Sequence, residues 1–216
     1  MKHILLFIIS LLAGFFSVFL YSKMYQDRTV EQAKKAVHVV EKSTPFSVST
    51  PPTKSKKGQI VHISGDVFWE SRTATEPARI TSARQLQQGE SLYTGPTGLA
   101  GISLDESFLF DLAADTKLSL LQTLPEQIVL GQDGGSVTYK NSSDSLLSVR
   151  VLPLLVVMKE AEMMVAVDDG TIAVTVQSGS VQIAFNDLEN IVTKVELMKG
   201  QKYLFDDETR VGEILE

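Results

Sequence analysis

The first candidates for chemistry are the three histidines, His3, His38 and His62, because imidazole is the side chain most often used for proton transfer. Only His62 lies beyond the apolar and helix-like N-terminal segments, so a Ser-His-Asp site would have to use it. His62 stands between Val61 and Ile63 and therefore points to the opposite face of a predicted strand. We expect a solvent-facing residue there, without a catalytic role.

Clustered carboxylates are the second candidates, because they can hold Ca²⁺. Residues 168–170 (Asp-Asp-Gly) lack the alternating carboxylates of an EF-hand loop and predict a hairpin turn. Residues 206–208 (Asp-Asp-Glu) and 105–106 (Asp-Glu) follow apolar alternating runs, so we expect turns there as well. None of these clusters predicts a metal site.

Neither recognised motifs nor bulk composition add a chemical site. The sequence contains no HExxH, P-loop or GxSxG motif, and its lack of cysteine excludes disulfides and thiolate metal ligands. The net charge of −6 gives no general attraction to nucleic acid. We therefore predict no catalytic, cofactor-binding or metal-binding residue, no cofactor, no nucleic-acid partner and no enzymatic activity.

The first element is the apolar run of residues 4–21, ILLFIISLLAGFFSVFLY. As a helix rising about 1.5 Å per residue, this run is roughly 27 Å long, close to the hydrocarbon thickness of a bilayer. It is longer than the apolar stretch of a signal peptide, and bulky residues 19–21 stand where cleavage needs small ones. We predict an uncleaved transmembrane signal anchor over residues 1–22, in contact with the lipid bilayer through residues 4–21, rather than a cleaved signal peptide.

The charges beside this anchor conflict over its orientation. Lys23, Arg28, Lys34 and Lys35 follow the run and only Lys2 precedes it, so the positive-inside rule would keep the following chain in the cytoplasm. Long domains behind an N-terminal anchor, however, translocate largely regardless of charge. We expect a single-pass membrane protein with its C-terminal domain in the periplasm or extracellular space. A cytoplasm-facing adaptor is the alternative.

Two segments connect the anchor to the rest of the chain. Residues 23–42 place Val30, Val37 and Val40 at helical spacing and predict a juxtamembrane helix. This helix either lies at the membrane surface or associates weakly with a second copy as a short coiled coil. Residues 43–58, STPFSVSTPPTKSKKG, predict an extended Pro/Ser/Thr/Lys linker.

From residue 59 to 216 the apolar period changes to two, which is typical of strands. Turn residues separate the runs about every ten residues, and we expect turns at residues 95–98, 133–135, 168–170 and 178–180. Clear alternating runs occur at 100–104, 108–112, 118–120, 172–176 and 181–185. Short strands of this kind predict a mainly β domain, built as a sandwich or as a rolled, solenoid-like sheet.

A glycine-containing unit recurs in this domain and favours the rolled or solenoid-like arrangement. Each copy has a strand, a glycine that can adopt positive φ or allow close backbone approach, and a second strand. The copies are centred on Gly65, Gly89, Gly135, Gly179 and Gly200.

These units, in this order, resemble the FecR domain family over nearly all of residues 59–216. The matching residues are Ile63 to Val67, Leu86 to Gly95, Gly98-Leu99-Ala100, Leu130 to Val137, Gly179-Ser180-Val181 and Leu197 to Gln201. The chain departs from the family pattern at residues 105–107 (Asp-Glu-Ser), which lack the usual turn glycine, and at residues 159–163 (Lys-Glu-Ala-Glu-Met), which replace an Arg-Gly-Thr.

The resemblance implies an extracytoplasmic β domain behind a transmembrane helix. Sensors of this family reach a sigma factor through a cytoplasmic arm before that helix, and here three residues precede the run, so we expect no such arm. We expect a membrane-anchored FecR-like binding or scaffold module of the bacterial cell envelope, with an envelope protein or polysaccharide as partner. The alternative is a membrane-tethered β-scaffold hydrolase, which would need a cleft of convergent carboxylates.

Two apolar features of the domain bear on binding. Trp69 shares the parity of Val67, which predicts packing in the core rather than a ligand platform. Residues 151–158, VLPLLVVM, predict a buried strand with Pro153 at an edge or bulge. If this segment is exposed, it would form an apolar edge for a partner.

Overall fold

The computed structural model describes residues 54–74 and 76–215. The predicted transmembrane anchor, the juxtamembrane helix with its self-association, and residues 43–53 of the linker lie outside the described residues. Within the described ranges, no helix is long and apolar enough to cross a lipid bilayer.

Fifteen β-strands form along the described chain, and most of them bury every second side chain, as the alternation predicts. They are β1 (Gly58–Ser64), β2 (Val67–Glu70), β3 (Ala78–Arg79), β4 (Gln85–Leu86), β5 (Ser91–Thr94), β6 (Leu99–Ser103), β7 (Phe108–Leu112), β8 (Lys117–Leu124), β9 (Gln127–Asn141), β10 (Leu146–Val151), β11 (Leu154–Asp168), β12 (Thr171–Asn186), β13 (Val192–Met198), β14 (Lys202–Asp206) and β15 (Val211–Leu215).

All fifteen strands belong to one mixed sheet. The pairs are antiparallel except for β9 with β10, which run parallel with Leu146 beside Gln127. The first half of β9, residues 127–134, pairs with β8 and β10, whereas the second half, residues 135–141, pairs with β7 and β11. The two halves of β9 therefore lie in different portions of the sheet. The prediction of a mainly β domain is confirmed, as a large mixed sheet.

Three strands are longer than the sequence predicts, because each is shared between two portions of the sheet. β11 pairs with β10 through residues 154–158 and with β9 through residues 161–167. β12 pairs with β14 through residues 171–175 and with β13 through residues 180–186. The two halves of one strand therefore have different neighbours.

The parity of the buried side chains changes by one residue in the middle of each long strand. In β12, the buried side chains are Ile172, Val174 and Val176, followed by Val181, Ile183 and Phe185. Gly179 has a φ of 74° at this point, and Gly135 and Glu160 have φ of 74° and 41° at the corresponding points of β9 and β11. An extra residue with this backbone conformation bends the strand, so that both halves face one core.

These bulges correct two sequence predictions. Residues 133–135 and 178–180 were expected in turns between strands, but they lie inside β9 and β12. A glycine at positive φ can bend a strand without ending its ladder, and the sequence pattern is the same in both cases. All five glycines of the recurring unit have positive φ, as predicted: Gly65, Gly89, Gly135, Gly179 and Gly200.

One hydrophobic core collects side chains from both portions of the sheet. Phe110 and Tyr139 lie 5.8 Å apart between ring centroids, and Phe185 and Phe205 lie 4.8 Å apart at the other end of the strand order. Aromatic pairs at these separations add to the free energy gained by burying the rings. The described domain therefore has a continuous apolar interior.

Residues 151–158 are two strands and a turn, not the single strand predicted. β10 ends at Val151, Leu152 and Pro153 form the turn, and β11 begins at Leu154. Leu152 has a φ of 50°, which suits the first position of a two-residue hairpin turn, and proline fixes the negative φ of the second. The apolar pattern does not reveal this turn, because Leu152 is itself apolar.

The end of the linker is already bonded to the domain. The backbone N–H of Lys56 donates to the carbonyl of Thr123, and the Thr123 hydroxyl donates back to the carbonyl of Lys56 at 2.8 Å. The Lys56 ammonium also forms an ion pair with Asp105. Gly58 then enters β1.

Candidate binding surface

The outer face of β10, β11, β12 and β13, called the β10–β13 face below, carries three adjoining depressions. Strand pairing aligns Arg150, Leu155, Ala184 and Lys194 in a row across this face. The side chains on either side of this row along each strand point into the core, so the row itself faces outward.

A depression of about 540 Å³ lies over β11, β12 and β13, lined mainly by Val157, Gln182, Ala184, Lys194 and Glu196. Ala184 has a one-carbon side chain and leaves the space between its larger neighbours open. A smaller depression of about 260 Å³ shares Val157 and Gln182 and continues toward Leu146. The floor is therefore partly aliphatic, with the charges of Lys194 and Glu196 along one side.

A third depression, of about 620 Å³, adjoins the first through Ala184 and lies at the end of the strands. Leu152, Leu155 and Val192 give it an apolar lining, to which the turn between β14 and β15 adds Asp207 and Arg210. The Arg210 Nε lies 3.7 Å from the Asp207 Oδ1, and this oxygen is buried without a hydrogen bond in the described chain.

The loop between β12 and β13 adds exposed apolar side chains beside this depression. The Asp187 Oδ1 accepts hydrogen bonds from the backbone N–H groups of Glu189 at 2.9 Å and Ile191 at 2.8 Å, which holds the loop in one turn. Leu188 and Ile191 are 71% and 58% exposed as a result. Grouped apolar side chains at the rim of a depression are typical of interaction surfaces.

The side chains of the β10–β13 face form a mainly aliphatic floor with a charged rim. Lys194 and Glu196 stand along one side of it, and the Asp207–Arg210 ion pair lies at the end of the strands. An apolar centre with a charged rim is the arrangement found where proteins bind other molecules.

The histidine considered in the sequence points to solvent, as predicted. His62 lies on β1, its side chain is half-exposed, and its Nε2 is 4.0 Å from the Asp111 Oδ1. The predicted alternation around it is wrong at Val61, which is 54% exposed whereas Ile60 is fully buried, because a bulge between Ile60 and His62 shifts the register of β1. The sheet therefore brings His62 beside one carboxylate on an open face.

The predicted acidic turns are turns in the structure, and the fold keeps them apart. Residues 168–170 join β11 to β12, and residues 206–208 open the turn between β14 and β15. The Thr209 backbone N–H and hydroxyl donate to the Asp206 carboxylate, which lowers the pKa of Asp206. Within residues 54–74 and 76–215, no three His, Cys, Asp or Glu side chains form a group that could hold a metal ion.

The turn at residues 104–107 forms without the glycine whose absence the sequence reveals. The Asp105 Oδ1 accepts a hydrogen bond from the Ser107 N–H at 2.8 Å, and the Ser103 hydroxyl donates to the Asp105 carbonyl. Asp105 therefore closes the turn with its own side chain, and no residue of this turn has positive φ.

Trp69 packs against the core but is only partly buried, so the sequence prediction is met in part. Its indole N–H donates to the Glu90 carboxylate at 3.1 Å, and the Arg84 guanidinium lies 3.5 Å from the ring centroid. The same Glu90 oxygen accepts a hydrogen bond from the Gln87 N–H at 2.8 Å. Arginine covers the ring face, and the tryptophan is engaged within the domain.

A second charged row crosses β5, β8 and β9. The Lys117 ammonium bonds Asp133 at 3.0 Å and lies 5.2 Å from the centroid of the Tyr93 ring. The hydrogen bond to Asp133 raises the pKa of Lys117. Burial and a hydrogen bond to Glu70 raise the pKa of Tyr93. These groups are satisfied by one another and stabilise the outer face of the sheet.

Sequence reasoning missed the β10–β13 face, apart from the conditional prediction that residues 151–158 would bind a partner if exposed. The available signal was the presence of apolar residues at both parities, since Leu155 and Val157 are outward while Leu154 and Val156 are inward. That signal cannot separate a strand buried on both faces from one that presents an apolar outer face.

Comparison with known proteins gives limited similarity. No family model matches the chain, and no curated protein matches it. Two crystal structures of a proposed anti-sigma factor from Parabacteroides distasonis ATCC 8503 are similar to it, at 17% and 16% sequence identity, each with a TM-score of 0.49. Each match covers 58% of this chain and 57% of the other, so the chain spans little more than half the length of those proteins.

Proposed function

We propose that this protein is a non-enzymatic binding or scaffold module of the bacterial cell envelope. In this proposal, residues 4–21 anchor the chain in the membrane and the β domain lies in the periplasm or extracellular space. The apolar run supports the anchor, and the ordered glycine units support a FecR-like domain behind it.

The observation that carries the binding function is the β10–β13 face with its adjoining depressions. Leu155 is 42% exposed, and Leu152, Leu188, Ile191 and Val192 extend the apolar surface beyond it. A soluble domain gains free energy by covering such a surface, because apolar area leaves water. The surface thus favours a partner over an isolated domain.

The side-chain chemistry favours a protein partner over an envelope polysaccharide. Sugars stack on exposed aromatic rings, whereas the exposed apolar side chains of this face are aliphatic. Phe185, which lines the 620 Å³ depression, is only 7% exposed. Aliphatic floors with charged rims fit the apolar side chains of another protein.

The test places a photo-crosslinking amino acid at Leu155 of the full chain in intact cells. The matched reference position is Val61, an outward apolar residue on β1 with 54% exposure. We expect a discrete adduct from Leu155 that protease removes, and none from Val61. A muramidase-sensitive adduct would indicate the polysaccharide instead.

A second substitution checks that the adduct depends on the depression. Ala184→Arg places a large charged side chain in the 540 Å³ depression and should reduce the adduct roughly tenfold or more, since burying a charge at an interface without a partner costs more free energy than one tenfold step. Ala173→Arg is the control, because Ala173 is outward on the same strand but lies in the portion paired with β14. Equal adducts from both variants, or equal labelling from Leu155 and Val61, would refute the proposed surface.

A further inference from the structure

The β13 strand presents an open edge. It pairs with β12 in an unbroken register from Ser180 opposite Met198 to Asn186 opposite Val192. Within residues 54–74 and 76–215, no strand pairs with its other side. It is seven residues long and contains no proline or bulge, which are common protections of an edge strand.

The hydrogen bonding of the preceding loop fixes which backbone groups face this edge. The Asp187 N–H donates to the Ile191 carbonyl at 3.1 Å, so the adjoining pair, Asn186 with Val192, is not hydrogen-bonded. Alternation along the antiparallel ladder then directs the N–H and C=O groups of Lys194 and Glu196 away from β12.

At the Met198 end of β13, the outward backbone groups already form hydrogen bonds within the domain. The Met198 N–H donates to the Gln201 side-chain oxygen at 2.9 Å, and the Met198 carbonyl accepts from the Gln201 N–H at 3.0 Å. This pattern agrees with the alternation, because Met198 has the same parity as Glu196. The free backbone groups are thus concentrated at Lys194 and Glu196, in the middle of the strand.

The side chains of β13, VTKVELM, are self-complementary about Val195. We propose that β13 pairs antiparallel with β13 of a second copy, with Val195 on the two-fold axis. In this register Lys194 lies opposite Glu196 of the other copy, and Glu196 lies opposite Lys194. The outward backbone groups of these residues form the hydrogen bonds, and the sheet continues across both copies.

Charge selects this register over its neighbours. A register centred on Lys194 would place two lysines opposite each other, and one centred on Glu196 would place two glutamates opposite each other. Neither Lys194 nor Glu196 has an ion pair or side-chain hydrogen bond within the described chain, so both are free to pair between copies.

The apolar side chains of β13 also fit a second copy. Val195 packs against the core but remains partly exposed at the open edge, where a second β13 would cover it. Val192 and Met198, which are 62% and 52% exposed, face each other across the pair in the same register. This pairing shares the side chains of Val192, Lys194 and Glu196 with the β10–β13 face, but its backbone hydrogen bonds come from the open edge of β13 and need no partner on that face.

The first test uses the absence of cysteine in the chain. In the proposed register the two Val195 Cα atoms form a non-hydrogen-bonded pair about 4.5 Å apart, within the range that a disulfide spans. We expect the full-length Val195→Cys variant, in detergent micelles under copper-phenanthroline oxidation, to form a disulfide-linked dimer. Val211→Cys is the control, because Val211 is an exposed residue on the edge strand β15.

The second test exchanges charges at two exposed positions. Lys194→Glu alone, or Glu196→Lys alone, places like charges opposite each other at two symmetric positions and should weaken dimerisation roughly 10- to 30-fold in sedimentation analysis of the full chain. The double variant Lys194→Glu/Glu196→Lys restores opposite charges and should restore the dimer. Association through residues 23–42 would not respond to these changes.

The two tests together either support or overturn the β13 pairing. Restored association in the double variant, with Val195→Cys cross-linking well above Val211→Cys, supports the β13 pairing. Two results would overturn it: cross-linking of Val195→Cys no greater than that of the control, or a double variant as weak as either single variant while its thermal unfolding matches the wild type.

Discussion

Gly179 lies opposite Glu160 and Ala161, where β12 and β11 bend together. A Cβ at this position would lie 2.7 Å from the Glu160 carbonyl oxygen and 2.8 Å from the Ala161 Cβ. Gly170 has nearly the same φ, 77° against 74°, but a Cβ there would meet nothing within 4 Å. Comparing alanine substitutions at Gly179 and Gly170 therefore separates the steric cost of an added Cβ from the cost of the left-handed backbone conformation.

We predict that Gly179→Ala lowers the free energy of unfolding by about 2–3 kcal/mol more than Gly170→Ala does, because only Gly179 has backbone atoms in the way. Each should also lose about 1 kcal/mol from the left-handed conformation. Urea unfolding of the full chain in detergent, followed by tryptophan fluorescence from Trp69, measures both values. Equal losses would show that the bend at Gly179 relaxes without strain.

Asp105 links the start of the domain to the turn between β6 and β7. Burial opposes its ionisation, but the ion pair with Lys56 and the Ser107 N–H outweigh burial, so the pKa of Asp105 lies below its usual value of 3.8. A depressed carboxyl pKa stabilises the folded state above the unfolded pKa, and this contribution is lost as the pH falls through the folded pKa.

We predict that Asp105→Asn is less stable than the wild type at pH 7, by no more than about 1 kcal/mol because the pair is partly exposed. The difference should begin to shrink as the pH falls toward 3.8 and disappear below the lowered folded pKa of Asp105, where the carboxyl is neutral in both the folded and the unfolded chain. Unfolding at a series of pH values gives the comparison. A difference that stays constant down to pH 2 would contradict this origin.

At the scale of elements, the bulge of β9 is held by a buried polar side chain. Gln132 is fully buried in β9, and its amide donates to the carbonyls of Gly135 at 3.0 Å and Val165 at 3.2 Å. Its oxygen accepts the Tyr139 hydroxyl at 2.9 Å. One side chain thus ties the bulge of β9 to β11 and to the second half of its own strand.

We predict that Gln132→Met, which keeps the side-chain length, costs about 2–4 kcal/mol because it removes three buried hydrogen bonds at once, including the acceptor of the Tyr139 hydroxyl. Tyr139→Phe leaves only the Gln132 oxygen unpaired and should cost about 1 kcal/mol. Thermal unfolding of both variants tests the ranking. A Gln132→Met loss no larger than that of Tyr139→Phe would mean that water or neighbouring groups replace the lost bonds.

Sequence patterns predict the inward side chains of a single strand, but they do not predict the bulges inside the long strands. Alternation correctly identifies the inward side chains of β7, Phe108, Phe110 and Leu112, because a strand repeats every two residues. It does not distinguish the bulge at Gly179 from a turn, since both use a small residue with positive φ between two alternating runs. The difference lies in whether the neighbouring strand follows the bend.

At the scale of the whole molecule, the proposed membrane orientation has a direct test. Ser49→Cys gives a single thiol between the predicted anchor and the β domain. We predict that a membrane-impermeant maleimide labels it in intact cells, because the following domain is translocated. A chain with the same cysteine in permeabilised cells sets the maximum labelling. Protection in intact cells and labelling after permeabilisation would instead support the cytoplasm-facing adaptor.

The candidate surface could not be predicted as a site, although its residues are plain in the sequence. Leu155, Ala184 and Val192 come from three separate strands and become neighbours only through strand pairing. The self-complementary order of β13 is readable in VTKVELM. Its meaning, however, depends on the fold leaving that strand unpaired on one side.

The sequence by itself determined the strand-forming character of residues 59–216, the glycines that adopt positive φ, and the acidic segments that form turns, because local backbone and side-chain preferences control these features. Only the tertiary structure decided the three shared strands, the apolar outer face and the open edge of β13. These depend on which strands pair, and pairing is set by contacts between residues far apart in the chain. The carboxylates and the histidine that first suggested chemistry consequently lie on separate turns and on an open strand, whereas the candidate for function is an aliphatic surface assembled by the sheet.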